Sequence, residues 1–187
     1  MTVRRLRPRR AAAMPRLPPD FSRMDRPTDN GLAATLRPAR PEDREKLWAL
    51  DQACFDAQLA YTRDELEAYL DAPGAFALVL ETEAGSPDAF VLASVGRRGQ
   101  GHIVTLDVLP AFRRRGWGRR LLLAAEQRLR AAGCREVRLE AAVNNAAALA
   151  LYGRLGYRVR RVLRGYYHGG LDALSLAKLF SGGDGGP

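Results

Sequence analysis

Hydrophobic positions change their spacing several times along the chain, and each change marks a predicted element. Ala33 to Arg37 reads as a short strand, ended by Pro38 and Pro41. From Glu42 to Phe55 the apolar positions Leu47, Leu50, Ala53 and Cys54 stand three and four apart, as on one face of a helix. Thr62 is a suitable N-cap for a helix over Arg63 to Leu70, and Glu65 three residues on completes a capping box. Pro73-Gly74 stops it. Two runs of strand character follow, Phe76 to Glu81 and Ala89 to Val95, separated by the turn residues Gly85-Ser86-Pro87-Asp88. Gly96 to Gly101 predicts a turn, and His102 to Val108 a strand ended by Pro110.

The period then lengthens. Trp117 to Ala132 is a predicted helix, with Leu121, Leu122, Ala125 and Leu129 on one side and Arg119, Arg120, Glu126, Arg128 and Arg130 on the other. Gly133 sits where a helix C-terminal left-handed residue is expected. Val137 to Ala141 is a strand, Asn145 to Leu155 a helix ended by Gly156, and Tyr157 to Leu163 and Leu171 to Ala177 are two closing strands. Strand-helix-strand-helix in the centre, with antiparallel-looking pairs on both sides, predicts one mixed α/β domain over residues 32–180. There is no internal repeat of 20–50 residues.

Composition changes this picture mainly at the ends. Of 187 residues, 30 are basic and 21 acidic, and 28 of the basic ones are arginine. Residues 1–31 hold eight arginines against three aspartates and five prolines, with no sustained period, so they read as a disordered basic tail. The cluster Arg4-Arg5-Leu6-Arg7-Pro8-Arg9-Arg10 could touch RNA electrostatically, but lacks interleaved aromatics. Residues 181–187 read as a Gly-rich disordered end. The longest apolar runs are far shorter than the roughly 20 residues of a membrane span. Cys54 and Cys134 stand alone and no histidines cluster, which argues against zinc sites and disulfide scaffolds. Cys134, after a helix end, reads as a packing residue. Together with the lack of a secretory segment, this predicts a cytoplasmic protein.

The chemically informative stretch is Val108-Leu109-Pro110-Ala111-Phe112-Arg113-Arg114-Arg115-Gly116-Trp117-Gly118-Arg119. A strand runs into a short loop whose glycines open a helix, and the free N–H groups at a helix start form an anion site. Gly116 and Gly118 would let a phosphate approach the backbone, and three arginines add charge. No GK[ST] follows, so this is not a Walker loop, and it is one glycine short of the dinucleotide fingerprint. A merely capped, glycine-containing loop remains the plain alternative for this segment alone.

The order strand, R-x-x-G-x-G, amphipathic helix, strand, Asn-x-x-Ala-x-x-Leu-Tyr-x-x-Leu-Gly-Tyr resembles the GCN5-related N-acetyltransferase (GNAT) superfamily. The matching elements are Leu106-Asp107-Val108, Arg113 to Gly118, Leu139-Glu140 and Asn145 to Tyr157. The resemblance implies a central mixed seven-stranded sheet, splayed and flanked by helices, with acetyl-CoA as cosubstrate and no metal. It places the pantetheine arm along Leu106, Asp107 and Val108, with the Val108 N–H on the thioester carbonyl. It places the pyrophosphate on the loop from Arg113, Arg114 and Arg115 through Gly116, Trp117 and Gly118 to Arg119. Asn145 and Tyr152 match further cofactor contacts.

Acetyl transfer needs a neutral amine, a stabilised oxyanion and a proton for the departing thiolate. An α-amine of pKa about 8 is partly protonated at neutral pH, so a carboxylate that removes its proton helps, and a positioned phenol can protonate the thiolate. Glu140 and Tyr152 have these chemistries and occupy the places of base and acid in RimI-like N-terminal acetyltransferases. A strand-end carboxylate and a packed aromatic are their ordinary alternatives. Ala142 stands where such sequences commonly carry an arginine.

The segment Arg164-Gly165-Tyr166-Tyr167-His168-Gly169-Gly170 resembles the tyrosine-bearing hairpin that borders the acceptor groove in those enzymes. Tyr166 and Tyr167 are thus implied acceptor contacts, and Tyr61, before the second helix, belongs to the opposite wall. An exposed hairpin histidine such as His168 is more often not a base. The reading is an acyltransferase that acetylates the N-terminal α-amine of a peptide or protein, such as a ribosomal protein, by direct attack in a ternary complex. The alternatives are a small-molecule amine acetyltransferase of the same superfamily, and a non-catalytic CoA-sensing module anchored to RNA by its tail.

Overall fold

Two apolar runs, Ala75–Glu83 (β2) and Ser86–Val95 (β3), lose the alternation of a half-exposed strand because both of their faces are covered. They are interior strands of a seven-stranded sheet in the computed structural model, which describes residues 34–57, 59–83 and 86–180. The basic tail (1–31), Leu32, Ala33 of the predicted first strand, Gly85 of the predicted turn and the Gly-rich end (181–187) lie outside the described residues.

The remaining elements are β1 (Thr35–Pro38), α1 (Arg44–Cys54), α2 (Arg63–Leu70), β4 (Gln100–Val108), α3 (Trp117–Ala131), β5 (Glu136–Ala142), α4 (Ala146–Arg154), β6 (Arg158–Leu163) and β7 (Ala173–Leu179). Strand order is β1-β2-β3-β4-β5-β7-β6. Every neighbouring pair is antiparallel except β4 and β5, joined by the α3 crossover. This is the mixed α/β sheet expected from the sequence.

Each face of the sheet has its own core. On one side Leu121, Leu122 and Leu129 of α3 pack fully buried against Leu78, Val91 and Leu139. On the other, Leu47 and Leu50 of α1 and Leu66 of α2 cover Val79, Phe90 and Leu92. A buried side chain of this size contributes about 1.5–3 kcal/mol, so these helices hold their positions through packing rather than propensity. The α2 start is fixed locally: Thr62 Oγ1 accepts from the Glu65 N–H, and Glu65 Oε2 accepts from the Thr62 N–H at 3.0 Å. That is the predicted capping box.

Several boundaries differ from the sequence reading. Ser86, Pro87 and Asp88 belong to β3 rather than to a turn, and Glu83 pairs with Ser86. Pro87 is accommodated where the ladder shifts register, a position that tolerates a missing N–H. The Asp88 carboxylate accepts from the Thr82 N–H and hydroxyl, both at 2.8 Å, which closes this end of the hairpin. The last strand is Ala173–Leu179 rather than Leu171–Ala177, since Asp172 instead closes the loop by accepting from the Gly165 N–H.

Two buried ion clusters pin the edges of this frame. Arg37 donates to Asp43 at 2.6 and 3.0 Å and to Glu81 at 2.6 Å, tying β1 and β2 to the turn before α1. Glu126 of α3, fully buried, accepts from Lys178 at 2.6 Å and Arg130 at 2.9 Å.

Candidate active site

The sheet opens where β4 and β5 separate. They pair only at Gln100↔Glu136, Gly101↔Val137 and His102↔Arg138, and the rest of each strand runs on without the other. β4 also bulges at Val104, because Leu92 faces Thr105 while Ala93 faces Ile103. Beyond the bulge the ladder to β3 is regular, and the Leu109 N–H donates to Asp88. Antiparallel alternation then turns the N–H and C=O groups of Leu106 and Val108 away from β3, toward the split. The Val108 carbonyl accepts from Arg113 Nε at 2.9 Å, leaving its N–H directed into the opening.

At the far end of β4 the loop delivers the start of α3. Among the described residues no side chain caps this helix, whose N-cap is Gly116 at φ +79°, so its first N–H groups have no capping partner there. A Cβ at Gly116 would meet nothing within 4 Å, so this side of the turn is open. Gly118 differs: a Cβ there would touch Leu151, Leu106 and Val108, so this glycine seats the helix against the sheet. Trp117 likewise has its ring in the core, 1% exposed and stacked on Phe112 at 4.8 Å, leaving its backbone for the loop. Arg113 braces the loop by donating to the Val108 and Cys54 carbonyls, whereas Arg114 (φ +63°) and Arg119 are exposed. Uncapped amides, an open glycine and exposed arginines fit a diphosphate.

Between the split strands lies a cavity whose walls come from α1's end, β4, β5, α4 and the β6–β7 connection. It is lined by Tyr61, Thr105, Glu140, Asn145, Tyr152 and Tyr167 among others. Glu140 projects from β5, 2.7 Å from His102 Nε2 and 3.5 Å from Ser175 Oγ. Burial, with Tyr167 and Asp107 nearby, pushes the Tyr152 phenol well up, so it keeps its proton throughout the working range. Asn145 caps α4 by accepting from the Ala148 N–H at 3.1 Å. Tyr167 faces the cavity, while Tyr166 packs edge-on against it at 5.0 Å and does not line the space. The Tyr61 hydroxyl donates to the carbonyl of the bulged Val104 at 3.2 Å.

Beneath this cavity lie two buried carboxyls. Asp51 accepts from the Tyr61 N–H at 2.8 Å, and Asp107 accepts from Thr105 Oγ1. Burial holds the Asp107 carboxyl well above the usual range, the Asp51 charge adding to it and Thr105 and Arg113 opposing. Burial likewise pushes the Cys54 thiol up to about 11, which disfavours a thiolate nucleophile at neutral pH. Cys134, 5% exposed in the core, is the packing residue that its sequence position predicts. Among the described residues no group of three or more His, Cys, Asp or Glu could hold a metal ion, and no helix is long and apolar enough to cross a membrane.

The acetyltransferase (GNAT) family profile matches residues 44–157, from α1 through the split and its loop to the end of α4. The chain belongs to the acetyltransferase (GNAT) family. It is therefore an acyltransferase by family. It is 44% identical over 81 residues to N-alpha-acetyltransferase MAK3 of Arabidopsis thaliana, a match covering 43% of each chain. It is 29% identical over 161 residues to an N-alpha-acetyltransferase of Saccharolobus solfataricus, covering 80% of this chain and 95% of that one. The chain thus spans less than half of the plant relative and nearly all of the archaeal one. The ribosomal-protein-S18-alanine N-acetyltransferase of Escherichia coli shares the fold with a TM-score of 0.71 at 23% identity, covering 82% of this chain and 99% of that one. Neighbours of this fold have been solved with CoA and with acetyl-CoA bound.

In this acetyltransferase the structure brings Glu140, Tyr152, Asn145, Tyr61 and Tyr167 around one cavity, with Leu106 also on its wall. The loop residues Arg113 to Arg119 lie outside that wall, at the helix start. His102 is the residue that sequence reasoning passed over. Its signal was available: it is the first of three polar residues, with Thr105 and Asp107, in the otherwise apolar run His102 to Val108. Its partner, thirty-eight positions away, was not legible from spacing.

Proposed function

We propose that this acetyltransferase moves the acetyl group of acetyl-CoA to the N-terminal α-amine of a peptide or protein, by direct attack in a ternary complex. The observation that carries the reading is the Glu140 carboxylate at the opening of the β4–β5 split, in one cavity with Tyr152 and Tyr167. The names of the plant and archaeal relatives support an α-amine acceptor.

When bound, acetyl-CoA supplies a thioester, an acyl group already activated for attack. The chain's own residues do the rest. The free N–H groups of Gly116, Trp117, Gly118 and Arg119, with the arginines before them, hold the diphosphate. Leu106 and Val108 offer their split-facing backbone groups to the extended arm, and the Val108 N–H polarises a carbonyl placed there. Asn145, at the head of α4, lines the same channel.

Glu140 accepts a proton from the incoming ammonium, and His102, hydrogen-bonded to it, orients the carboxylate and leads toward solvent, with a third of its side chain exposed. Tyr152 stays protonated through burial and so keeps an O–H that can hydrogen-bond a departing sulfur and hold a proton beside it. Tyr61 and Tyr167 form facing walls for the first residues of the acceptor, with hydroxyls suited to main-chain groups. A ribosomal protein is one acceptor that this reading admits; the Escherichia coli enzyme that shares the fold is named for ribosomal protein S18.

The test is turnover by the full chain with acetyl-CoA and free-amine peptides, read as thiol release together with acetylated product. The same peptides with blocked amines should give no release. Turnover confined to polyamines or other small amines would overturn the reading.

A further inference from the structure

The strongest unpartnered feature outside the cavity is the outer edge of the sheet. All of β6 except its last residue is exposed, and Arg158, Arg160 and Arg161 project from it. Register places them relative to the site. Arg138, Ala177 and Arg158 form one cross-strand row over β5, β7 and β6, and Glu140, Ser175 and Arg161 form the next. Cross-strand partners share a face of the sheet. Arg161 therefore lies in the row of the carboxylate that opens into the acceptor cavity and Arg158 in the row before it, both on that face and two strands away, with Arg160 the extra residue at the register shift between them.

The floor of this face is made of small residues, Ala177 and Ser175, which are 1% and 6% exposed. Glu136 takes Arg138 at 2.7 Å and lies 3.9 Å from Arg160. Arg158 and Arg161 have no carboxylate within ion-pair distance among the described residues. Arginines on an edge strand also discourage strand addition. That purpose is served by charge anywhere along the edge, whereas these two lie in line with Arg138 and Glu140.

We infer that Arg158 and Arg161 form an anionic-side-chain subsite for the acceptor, selecting peptides with acidic residues a few positions after the reacting amine. The inference rests on the proposed N-terminal acetylation and assigns it a substrate class. Two strand spacings separate Glu140 from Arg161, about 10 Å, which an extended peptide spans in about three residues. Acidic side chains at roughly the third to sixth positions then reach the guanidinium groups.

The experiment uses the full chain and three peptides that share their first two residues and carry glutamate, glutamine or lysine at positions three to six. Binding is measured by anisotropy of C-terminally labelled peptide in the presence of CoA, and turnover is measured in parallel. The glutamate peptide should bind about three- to tenfold more tightly than the glutamine peptide at low salt, with KM rather than kcat carrying the difference. The gap should close as salt rises. In R158E/R161E the order of glutamate and lysine peptides should invert, with thermal unfolding reporting that the variant is folded.

Equal binding of all three peptides, or a glutamate preference that survives in R158E/R161E, overturns the inference. So does a short RNA that binds this face more tightly than the acidic peptide and excludes it. Acetylation without charge preference sinks the subsite and leaves the activity standing. Arginine-dependent binding without acetylation sinks the activity and leaves the subsite.

Discussion

His102, on the last rung that joins β4 to β5, brings its Nε2 to 2.7 Å from Glu140 Oε2, two residues beyond that rung on β5. The contact spans the first point at which the two strands have parted, so it sits at the root of the split. A carboxylate held there by a neighbouring ring has a fixed orientation before any amine arrives. Glu140→Gln should lower kcat by about 10²–10⁴, the range for loss of a general base, with the KM for acetyl-CoA little changed. Steady-state kinetics at saturating cosubstrate would check this; an undiminished kcat would remove Glu140 from the proton-transfer step.

The His102 ring tests whether orientation matters apart from the carboxylate itself. His102→Leu should lower kcat by about tenfold, and His102→Gln, which keeps a polar group toward Glu140, should lose less. In a Glu140→Gln background, replacing His102 should cost little more, because the ring then has no carboxylate to orient. Independent, additive losses in the double variant would contradict the coupling.

Tyr152 is kept neutral by its burial. Its deprotonation is displaced upward, so wild-type kcat should not fall as pH rises through about 10, the ordinary phenol range. Tyr152→Phe should slow transfer while leaving CoA binding by calorimetry unchanged. An alkaline loss of rate centred near the ordinary phenol value, absent from the phenylalanine variant, would contradict this account.

Gly116 and Gly118 should fail differently. Gly116→Val forces a β-branched residue into a left-handed conformation, costing about 1–2 kcal/mol, and puts a side chain into the open approach to the helix amides. It should raise the KM for acetyl-CoA well beyond its effect on kcat. Gly118→Leu instead presses on Leu151 and should lower thermal stability more than Gly116→Val does. Identical profiles for the two would mean that the glycines share one role.

The Arg37 cluster makes a stability prediction. Arg37→Met leaves Asp43 and Glu81 buried without their cation and should cost about 3–5 kcal/mol. Burial opposes ionisation of Asp43, but the Arg37 guanidinium and the Arg40 N–H outweigh it and hold the carboxyl below its usual value. The resulting stabilisation is present above the unfolded value of about 3.9 and is lost as pH falls through the lower folded value. Denaturant titrations below about pH 4 should thus show the wild type losing this increment and the variant lacking it from the start.

Elements with local signals were legible in the sequence. The Thr62–Glu65 capping box, the three-and-four spacing of α1 and the leucine stripe of α3 depend on residues within two turns of one another. The open start of α3 was legible in Gly116 and Gly118, whereas the split and the meeting of Glu140 with Tyr152 in one cavity came from the family resemblance that the motifs carry. What escaped was decided by partners far away in the chain. Gly118 reads as a phosphate glycine from its motif, yet Leu151 on another helix occupies the space beside it. Pro87 reads as a turn residue, yet a register shift lets it enter β3. The bulge at Val104, which divides polar His102 from polar Thr105 and Asp107, leaves no mark in spacing because it depends on how β3 is paired.

Tandem mass spectrometry of one product locates the transferred acetyl group and so decides whether the acceptor is an α-amine. The substrate is a peptide with a free N-terminus and an internal lysine, incubated with the full chain and acetyl-CoA. One acetyl group is expected on the N-terminal residue, and its loss with Glu140→Gln. An acetyl group found on the lysine alone, or an N-terminal acetyl formed equally well by the Glu140→Gln variant, would contradict it.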